Sequence, residues 1–331
     1  MAIPVLGVVH VNVNCSDLAR SLRFYRDLVG LEPLTHTNPL PQEGAGFGLP
    51  GQVQWDAHLL HDARGPLGPA VDLLEWKRPL PVSKPASEPN QLGMFRLCLS
   101  VPDVDAVYAK LVAAGVPCLS APVLAPIDPA AGLSVRFFLA RDPDGTALEF
   151  LQPNHVAQQA GQGPARSEPK ASEGERARLL HVNVNCSDLA RSADWYRRVL
   201  GLATLGRSAP GPVDGAGFGW NGPCEWQAEF LAVQGAADPF VIDLLEWKTP
   251  RPTGAPALAA NQLGLFRLAF MVEDAKACHA ELLRHGVTTS PPVWLEMGPE
   301  VPIAGLWAVF FRDPDGTCLE LIQRPELRPG A

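Results

Sequence analysis

The chain has 331 residues, of which 47% are hydrophobic and 19% are charged, and its formal net charge is −8. This composition is typical of a globular protein in water, with room for two domains of ordinary size. The negative charge and the lack of a Lys/Arg-rich run argue against a nucleic-acid or anionic-membrane partner. No apolar stretch reaches transmembrane length, and the start of the chain lacks the basic region and apolar core of a signal peptide.

The seven cysteines are odd in number and include no CxxC pair. Only Cys15 and Cys186 occupy repeated positions, and the others do not pair by position. This pattern predicts free thiols in a reducing compartment, so we expect a cytoplasmic protein.

Several sequence motifs occur twice at one fixed spacing of 171 residues, which separates His10 from His181. The repeated motifs are HVNVNCSDLARS, DLLEWK, NQLG, FRL and RDPDGT. A fixed repeat predicts two copies of one module. We predict module 1 over residues 5–152, a flexible linker over 153–177, module 2 over 178–323 and a fraying tail over 324–331.

Each module divides again into two similar halves. The first half begins with the alternating segment HVNVN, which predicts a strand, and continues with a helix that Asp17 caps and Gly30 ends. Short β-like runs follow, of which AVDLLEW is the last. The second half has the strand FRLCLSV, a helix between Asp103 and Gly115, and β-like runs that end in TALEFLQ after an Asp-Pro-Asp-Gly turn. The chain therefore contains four β-α-β-β-β units, which predicts an α+β fold.

This plan closely resembles the vicinal oxygen chelate superfamily, which includes glyoxalase I, bleomycin-resistance proteins and extradiol dioxygenases. The resemblance is carried by the fourfold βαβββ order, by SDLxRSxxFYxxxxGL after the first strand and by RDPDGTxLE at the end. It covers both modules, nearly the whole chain outside the linker and tail. It implies that pairs of units close into open, cupped mixed sheets with helices outside and a cavity within. One fold hosts many chemistries, so the resemblance alone assigns no activity.

The resemblance further implies a divalent metal in each cup, bound by the first and last strands of the units. The ligands implied for the two modules are His10, Glu75 and Glu149, and His181, Glu246 and Glu320. The remaining position, which should hold His, Gln or Glu, holds Arg96 in one module and Arg267 in the other. Arginine stays protonated and has no lone pair to give a metal, so this is the main departure from the family pattern.

Three interpretations follow from this departure. One imidazole and two carboxylates suit a divalent ion such as Fe, Mn, Zn, Ni or Mg, with open positions for an oxygen-chelating substrate. Alternatively there is no metal, and Arg96 is clamped between Glu75 and Glu149 by charge-assisted hydrogen bonds. A third arrangement keeps the metal and uses Arg96 to bind a substrate carboxylate or phosphate.

The first functional hypothesis is a metal-dependent enzyme with glyoxalase-like lyase or isomerase chemistry, in which Glu149 or Glu320 moves a proton beside a metal-bound carbonyl. An extradiol ring-cleaving dioxygenase is the second, and a metal-free binding protein of the antibiotic-resistance type is the third. In each case the partner is a small molecule, and the protein is a monomer or a homodimer. The side chains expected to contact the ligand are Arg96, Arg267, Asn12, Asn183, Trp55 and Trp226.

Overall fold

The computed structural model of the chain describes residues 1–128, 133–155, 177–208, 210–298 and 301–326. Most of the predicted linker, residues 156–176, and the last five residues of the predicted tail lie outside this description. The predicted boundaries of the modules therefore remain predictions.

Four consecutive units build the protein, as the sequence predicts, and the α+β fold is confirmed. The first unit contains β1 (Gly7–Cys15), α1 (Leu18–Arg23), β2 (Glu32–Thr37), β3 (Gln42–Glu43), β4 (Gln52–His61) and β5 (Ala70–Arg78). The second contains β6 (Gly93–Ser100), α2 (Val104–Ala113), β7 (Val123–Asp128), β8 (Leu133–Arg141) and β9 (Ala147–His155). The third contains β10 (Arg178–Asn185), α3 (Leu189–Leu200), β11 (Ala203–Arg207), β12 (Pro212–Asp214), β13 (Pro223–Ala232) and β14 (Val241–Thr249). The fourth contains β15 (Gly264–Val272), α4 (Ala275–Arg284), β16 (Val293–Glu296), β17 (Gly305–Arg312) and β18 (Cys318–Gln323).

All four helices begin at an aspartate. The predicted caps Asp17 and Asp103, and their counterparts Asp188 and Asp274, each accept a hydrogen bond from the backbone N–H three residues later. Such caps satisfy amides that have no partner within the helix. The repeated Ser-Asp-Leu segments thus fix where the chain turns from the first strand of units one and three into a helix.

The strands form two curled, mixed sheets, and each sheet joins one unit from each module. The first sheet has the order β16-β17-β18-β15-β1-β5-β4-β2 with β3 on β4, and so combines units four and one. The second has the order β11-β13-β14-β10-β6-β9-β8-β7 with β12 on β13, and so combines units three and two. At the two junctions β1 pairs antiparallel with β15, and β10 pairs antiparallel with β6. Every unit therefore completes its sheet with a unit of the other module.

One large apolar core lies on the helix side of both sheets, and a smaller one fills the inner face of each sheet. We call the inner face of the first sheet cup 1 and that of the second sheet cup 2. Cup 1 is lined by Trp55, Trp76 and Phe310, among other apolar residues. Because β-strand side chains alternate between faces, each strand contributes to one core on each side.

A short 3-10 turn covers each cup. In cup 1 it spans Gly44–Phe47, and the Phe47 ring packs at centroid distances of 5.5 Å from Trp55 and 4.9 Å from Phe310. Gly46 lets the turn approach β16 closely, because a Cβ atom there would lie 2.5 Å from Cγ1 of Val293. The turn Gly215–Phe218 covers cup 2 in the same way.

None of the helices in the described ranges is long and apolar enough to cross a bilayer. All seven cysteines are free, as the sequence predicts, and only Cys118 is not fully buried.

Candidate functional site

A buried cluster of four charged or polar side chains lies in cup 1. The Arg267 guanidinium donates to Asp72 Oδ2 at 2.6 Å through Nη2 and to Glu320 Oε2 at 2.8 Å through Nε. His10 Nε2 lies 3.3 Å from Glu320 Oε2 and 3.8 Å from Asp72 Oδ2. All four residues are at most 6% exposed. The arginine thus bridges two buried carboxylates beside one imidazole.

Cup 2 contains the same arrangement. Arg96 donates to Glu149 Oε2 at 2.6 Å through Nε and to Asp243 Oδ2 at 2.7 Å through Nη2. His181 Nε2 lies 3.2 Å from the same Glu149 oxygen and 3.9 Å from Asp243 Oδ2. The four residues of this cluster are also buried.

The predicted grouping of ligands by module is wrong. His10 meets Glu320 rather than Glu149, and His181 meets Glu149 rather than Glu320. The reason is the exchange of units: β1 lies beside β15, which in turn pairs with β18, the strand that holds Glu320. Each cup therefore takes its histidine from one module and its arginine and glutamate from the other.

Glu75 and Glu246, predicted as ligands, lie away from the histidines. Glu75 Oε2 accepts a hydrogen bond of 2.9 Å from the Leu18 backbone N–H at the start of α1, and Oε1 lies 2.7 Å from Lys77 Nζ. Glu246 makes the equivalent bonds in the third unit. An odd spacing of three residues separates Glu75 from Asp72, so the two carboxylates point to opposite faces of β5.

Asp72 and Asp243 are the carboxylates that the sequence analysis missed. Both belong to the repeated DLLEWK motif, and the alternation of a strand places Asp72 on the same face as Trp76, which packs inside cup 1. Trp76 donates to Asn14, whose face of β1 also holds His10. The repeat together with this alternation is the signal that would have selected the aspartates.

Asn12 and Asn183, predicted to bind ligand, lie in the cups and are fully buried. Asn12 Nδ2 donates to Asp72 Oδ2 at 3.1 Å, but its Oδ1 has no partner among the described residues. The same is true of Nη1 of Arg267, and of the corresponding atoms of Asn183 and Arg96. Buried polar atoms are seldom left without a hydrogen bond, so each cup presents at least one donor and one acceptor to something further.

The predicted aromatic residues also lie in the cups. Trp55 is buried and packs edge-on against Trp76 at 6.0 Å between ring centroids. Trp226 packs against the core of cup 2, and its indole N–H is buried without a partner in the described part of the chain. In cup 2 the Arg96 guanidinium lies 5.6 Å from the centroid of the Phe218 ring, so the covering turn rests directly on the cluster.

The two cups differ at the position opposite the histidine, among others. Cys98 lies opposite His181 on the paired strand, and its counterpart in cup 1 is Ala269. Possible ligand atoms of Cys98, Glu149 and His181 all lie within 4.8 Å of one another, which is the one such group of three in the described ranges. A buried Cys/Glu/His set could hold a metal ion. Cys98 gives no repeat signal in the sequence, because Ala269 stands at the corresponding position of module 2.

The neighbouring charges in the two clusters shift the pKa values of Glu149 and Glu320. Burial raises the pKa of Glu149, but the Arg96 charge and the hydrogen bond from His181 outweigh burial and lower it to about 2. The pKa of Glu320 is lowered by the same kind of contacts, from Arg267 and His10. Burial is the main cause that raises the pKa of the Cys98 thiol well above its usual range. At neutral pH Glu149 and Glu320 are therefore ionised, and Cys98 is a neutral thiol.

Comparison with known proteins places this architecture in a family. The family model described as Glyoxalase/Bleomycin resistance protein/Dioxygenase superfamily matches residues 7–150 and 178–321. The chain therefore belongs to this superfamily, as a member with two modules in tandem. The comparison with curated proteins gives no match.

Solved structures of the same fold include two that span nearly the whole chain. Glyoxalase I from Zea mays is 17% identical, with a TM-score of 0.60 over 96% of this chain and 92% of that one. A Bacillus subtilis protein provisionally assigned as a dioxygenase is 15% identical, with a TM-score of 0.60 over 98% of this chain and 87% of that one. At these identities the likeness establishes the fold and leaves the activity open.

Proposed function

We propose that this chain is a small-molecule binding protein whose cups use arginine in place of a metal ion. The observation that carries the proposal is the position of the guanidinium, which in cup 1 bridges Asp72 and Glu320 at 2.6 and 2.8 Å. A divalent ion shared by these carboxylates would meet a fixed positive charge at close range. In cup 1 the donor set therefore does not fit a metal, and the proposal is the metal-free alternative among the three hypotheses.

The unpaired atoms indicate what such a ligand needs. In the described part of the chain, Nη1 of Arg267 has no acceptor and Oδ1 of Asn12 has no donor, and both atoms lie within cup 1. The remaining lining is aromatic and apolar. A ligand with an apolar or aromatic body and adjacent acceptor and donor groups would satisfy both atoms. Phe47 lies over this lining, so such a ligand reaches Arg267 by displacing the Phe47 ring.

The enzymatic alternatives receive less support. Glu149 was expected to act as a base, but a pKa of about 2 makes a carboxylate a weak proton acceptor near neutral pH. A ring-cleaving site of the familiar kind needs two imidazoles and one carboxylate, whereas each described cluster offers one imidazole, His10 or His181.

Metal analysis of the wild-type protein and of two variants tests the proposal. Wild-type protein incubated with Zn²⁺, Ni²⁺ or Co²⁺ and then desalted should retain no ion in cup 1. Arg267→His replaces the cation with a ligand and should add one equivalent of metal. Arg267→Met, which removes the charge without adding a ligand, is the matched control and should add none. One tightly held equivalent per cup in the wild-type protein would refute the proposal.

Ligand binding is tested by thermal unfolding with small aromatic acids, amides and phenols. A compound that binds the folded state raises Tm as its concentration increases. The shift should grow in Phe47→Ala, in which the covering ring is removed. If no compound shifts the wild-type protein or this variant, the cups do not bind this class of molecule.

Cup 2 supports a second candidate function, a metal centre, because only there does a thiol join the cluster. Cys98, Glu149 and His181 are ligand types that Zn²⁺ accepts, and a bound ion would supply Lewis-acid chemistry. The neutral state of the Cys98 thiol and the Arg96 contact to Glu149 both oppose it. A single equivalent of Zn²⁺ that is lost in Cys98→Ala and kept in Cys118→Ala would favour this function over the metal-free one.

A further inference from the structure

A surface cavity lies on the helix side of the first sheet, where α1 meets β4 and the edge strand β2. Its volume is about 560 Å³. Asp56 and His58 of β4 line it, whereas Trp55 and Ala57, which alternate with them along the strand, belong to the core of cup 1. The cavity and cup 1 therefore lie on opposite faces of the same strand.

Two histidines stack face to face in this cavity. His36 on β2 lies directly opposite His58 on β4 in the register of the paired strands. Their ring centroids are 4.4 Å apart, and the ring planes are inclined by 13°. Side chains at directly opposite positions project from the same face of a sheet, so both imidazoles reach the same space.

Asp56 fixes the orientation of the first ring. His36 Nε2 lies 2.6 Å from Asp56 Oδ1, and an ionised carboxylate only accepts hydrogen bonds, so Nε2 is the donor. In the neutral imidazole Nδ1 then presents a lone pair. A carboxylate that holds one ring nitrogen is the usual companion of a histidine that binds a metal ion through the other nitrogen.

The second ring is also in the protonation state that a metal ion needs. Partial burial and the neighbouring His36 lower the pKa of His58, although Asp56 opposes this change. His58 is therefore neutral near neutral pH, and one of its nitrogens has a lone pair for a metal ion.

The charged residues around the cavity favour a cation. Asp17, Asp56, Glu75 and Lys77 line it, which sets three carboxylates against one ammonium group. Lys77 Nζ lies 2.7 Å from Glu75 Oε1, so its charge is compensated. Asp17 and Glu75 also accept hydrogen bonds from backbone N–H groups at the start of α1. Asp56 is thus the carboxylate that remains for the two histidines.

The equivalent place in the third unit has an ion pair instead of the imidazoles. The spacing of 171 residues relates His36 to Arg207 and His58 to Glu229. There Arg207 Nε donates to Glu229 Oε2 at 3.0 Å across the paired strands β11 and β13. The same fold therefore accepts other side chains at these two positions, and its packing does not itself require two histidines.

The two rings need a small movement to share one ion. Bonds between imidazole nitrogen and Zn²⁺ are about 2.0–2.1 Å long, which places two bound nitrogens roughly 3 Å apart. Rings whose centroids are 4.4 Å apart reach this spacing when their edges tilt towards each other by on the order of 1 Å. His36 lies on the edge strand, and its side chain is 45% exposed, so the surroundings leave room for this tilt.

We propose that His36 and His58 bind a divalent transition-metal ion on the helix side of the first sheet, with Asp56 as a positioning residue. The ions that fit are those that prefer imidazole, namely Ni²⁺, Cu²⁺ and Zn²⁺, with water in their remaining positions. The bound ion links the edge strand β2 to β4 and so stabilises the sheet that carries cup 1. This site is independent of the clusters in the cups.

Isothermal titration calorimetry of the untagged full-length protein with Ni²⁺ tests the proposal. We expect one equivalent to bind with a Kd between about 1 and 100 μM. His36→Arg combined with His58→Glu introduces the ion pair of the third unit, so this variant should fold and should bind Ni²⁺ at least about tenfold more weakly. His279→Ala, which removes a histidine of α4 outside the cavity, is the matched control and should leave the Kd unchanged.

Asp56→Asn tests the positioning role. The variant keeps both imidazoles but loses the charged acceptor of His36, so one equivalent should still bind while its Kd rises about tenfold. Electron paramagnetic resonance of the Cu²⁺ complex should show coupling to two ring nitrogens in the wild-type protein and in Asp56→Asn. An unchanged Kd for Ni²⁺ would show that Asp56 does not position His36.

Three results would overturn the proposal of a metal site. One is the absence of saturable Ni²⁺ binding up to about 1 mM in the wild-type protein. Another is an unchanged Kd in the folded double variant. The third is loss of the bound equivalent in Cys98→Ala, because the ion would then lie in cup 2.

Discussion

Arg96 and Arg267 are the residues on which both cups depend. Each guanidinium satisfies two buried carboxylates at hydrogen-bond distance, Glu149 and Asp243 in the case of Arg96. A carboxylate removed from water is costly unless a cation and hydrogen bonds compensate it. The two buried carboxylates therefore need the arginine for the stability of the fold, whatever ligand the cup binds.

Removal of this cation should destabilise the protein strongly. We expect Arg96→Ala to lower the free energy of unfolding by about 3–5 kcal/mol, because two buried carboxylates lose their partner. Denaturant unfolding followed by tryptophan fluorescence measures the change. Arg136→Ala, the control, breaks an exposed pair with Asp105 and should leave the free energy of unfolding nearly unchanged.

A combined variant separates the lost charge from the lost packing. Arg96→Met with Glu149→Gln and Asp243→Asn removes all three charges while keeping similar volumes. This variant should recover much of the stability that Arg96→Ala loses, since no buried charge stays unpaired. If the triple variant is as unstable as Arg96→Ala, packing rather than charge explains the loss.

The lowered pKa of Glu149 predicts a dependence of stability on pH. Its folded pKa of about 2 lies below the ordinary value of 4.5, so its contribution is full above pH 4.5 and is lost as pH falls from 4.5 towards 2. The whole contribution is on the order of 3 kcal/mol. The stability difference between the wild-type protein and Glu149→Gln should therefore shrink across this range. A difference that stays constant between pH 5 and pH 2 would contradict the assignment.

At the scale of single strands, the sequence predicts the polar face of β1 but not the face of β5 that lines the cup. The alternation of His10, Asn12 and Asn14 with valines correctly placed these side chains on one polar face of β1. In β5 both faces are buried, so DLLEWK has no alternation of polarity to show which carboxylate faces the cup. The family resemblance implies Glu75 as the ligand, and no local pattern redirects that position to Asp72. A short-range pattern fixes spacing along a strand, whereas the choice of face depends on what packs there.

The covering turn of cup 1 depends on one close approach between elements. A Cβ on Gly46 would lie 2.5 Å from Cγ1 and 2.9 Å from Cγ2 of Val293 on β16. Gly46→Ala should therefore lower the free energy of unfolding by about 1–3 kcal/mol, because the turn and the strand must separate. Gly7→Ala is the matched control: no described atom lies within 4 Å of its added Cβ, and the change should stay within about 0.5 kcal/mol. Equal effects of the two substitutions would show that the contact carries no strain.

At the scale of the whole molecule, the sequence repeat groups the units differently from the sheets: each sheet combines one unit from each module. The repeat predicts four units correctly, but nothing in it states which unit pairs with which. Units one and three begin with the same strand sequence, HVNVN, and the first strands of units two and four share the sequence FRL. Local sequence therefore does not distinguish one possible partner unit from the other. The pairings β1 with β15 and β10 with β6 are decided by tertiary packing that joins residues at least 78 positions apart, and the sequence pattern does not contain that information.

This exchange predicts how the chain behaves when it is divided. Residues 1–155 contain units one and two, and residues 177–331 contain units three and four, so neither fragment holds both halves of a sheet. Alone, each fragment would expose the edge of its first strand and half of a cup, and edges of this kind associate. We expect the co-expressed fragments to form a 1:1 complex with the far-UV and near-UV circular dichroism of the intact chain. Each fragment expressed alone should self-associate or fail to fold. Sedimentation that shows fragment 1–155 as a folded monomer would mean that its two units complete one sheet without the other module.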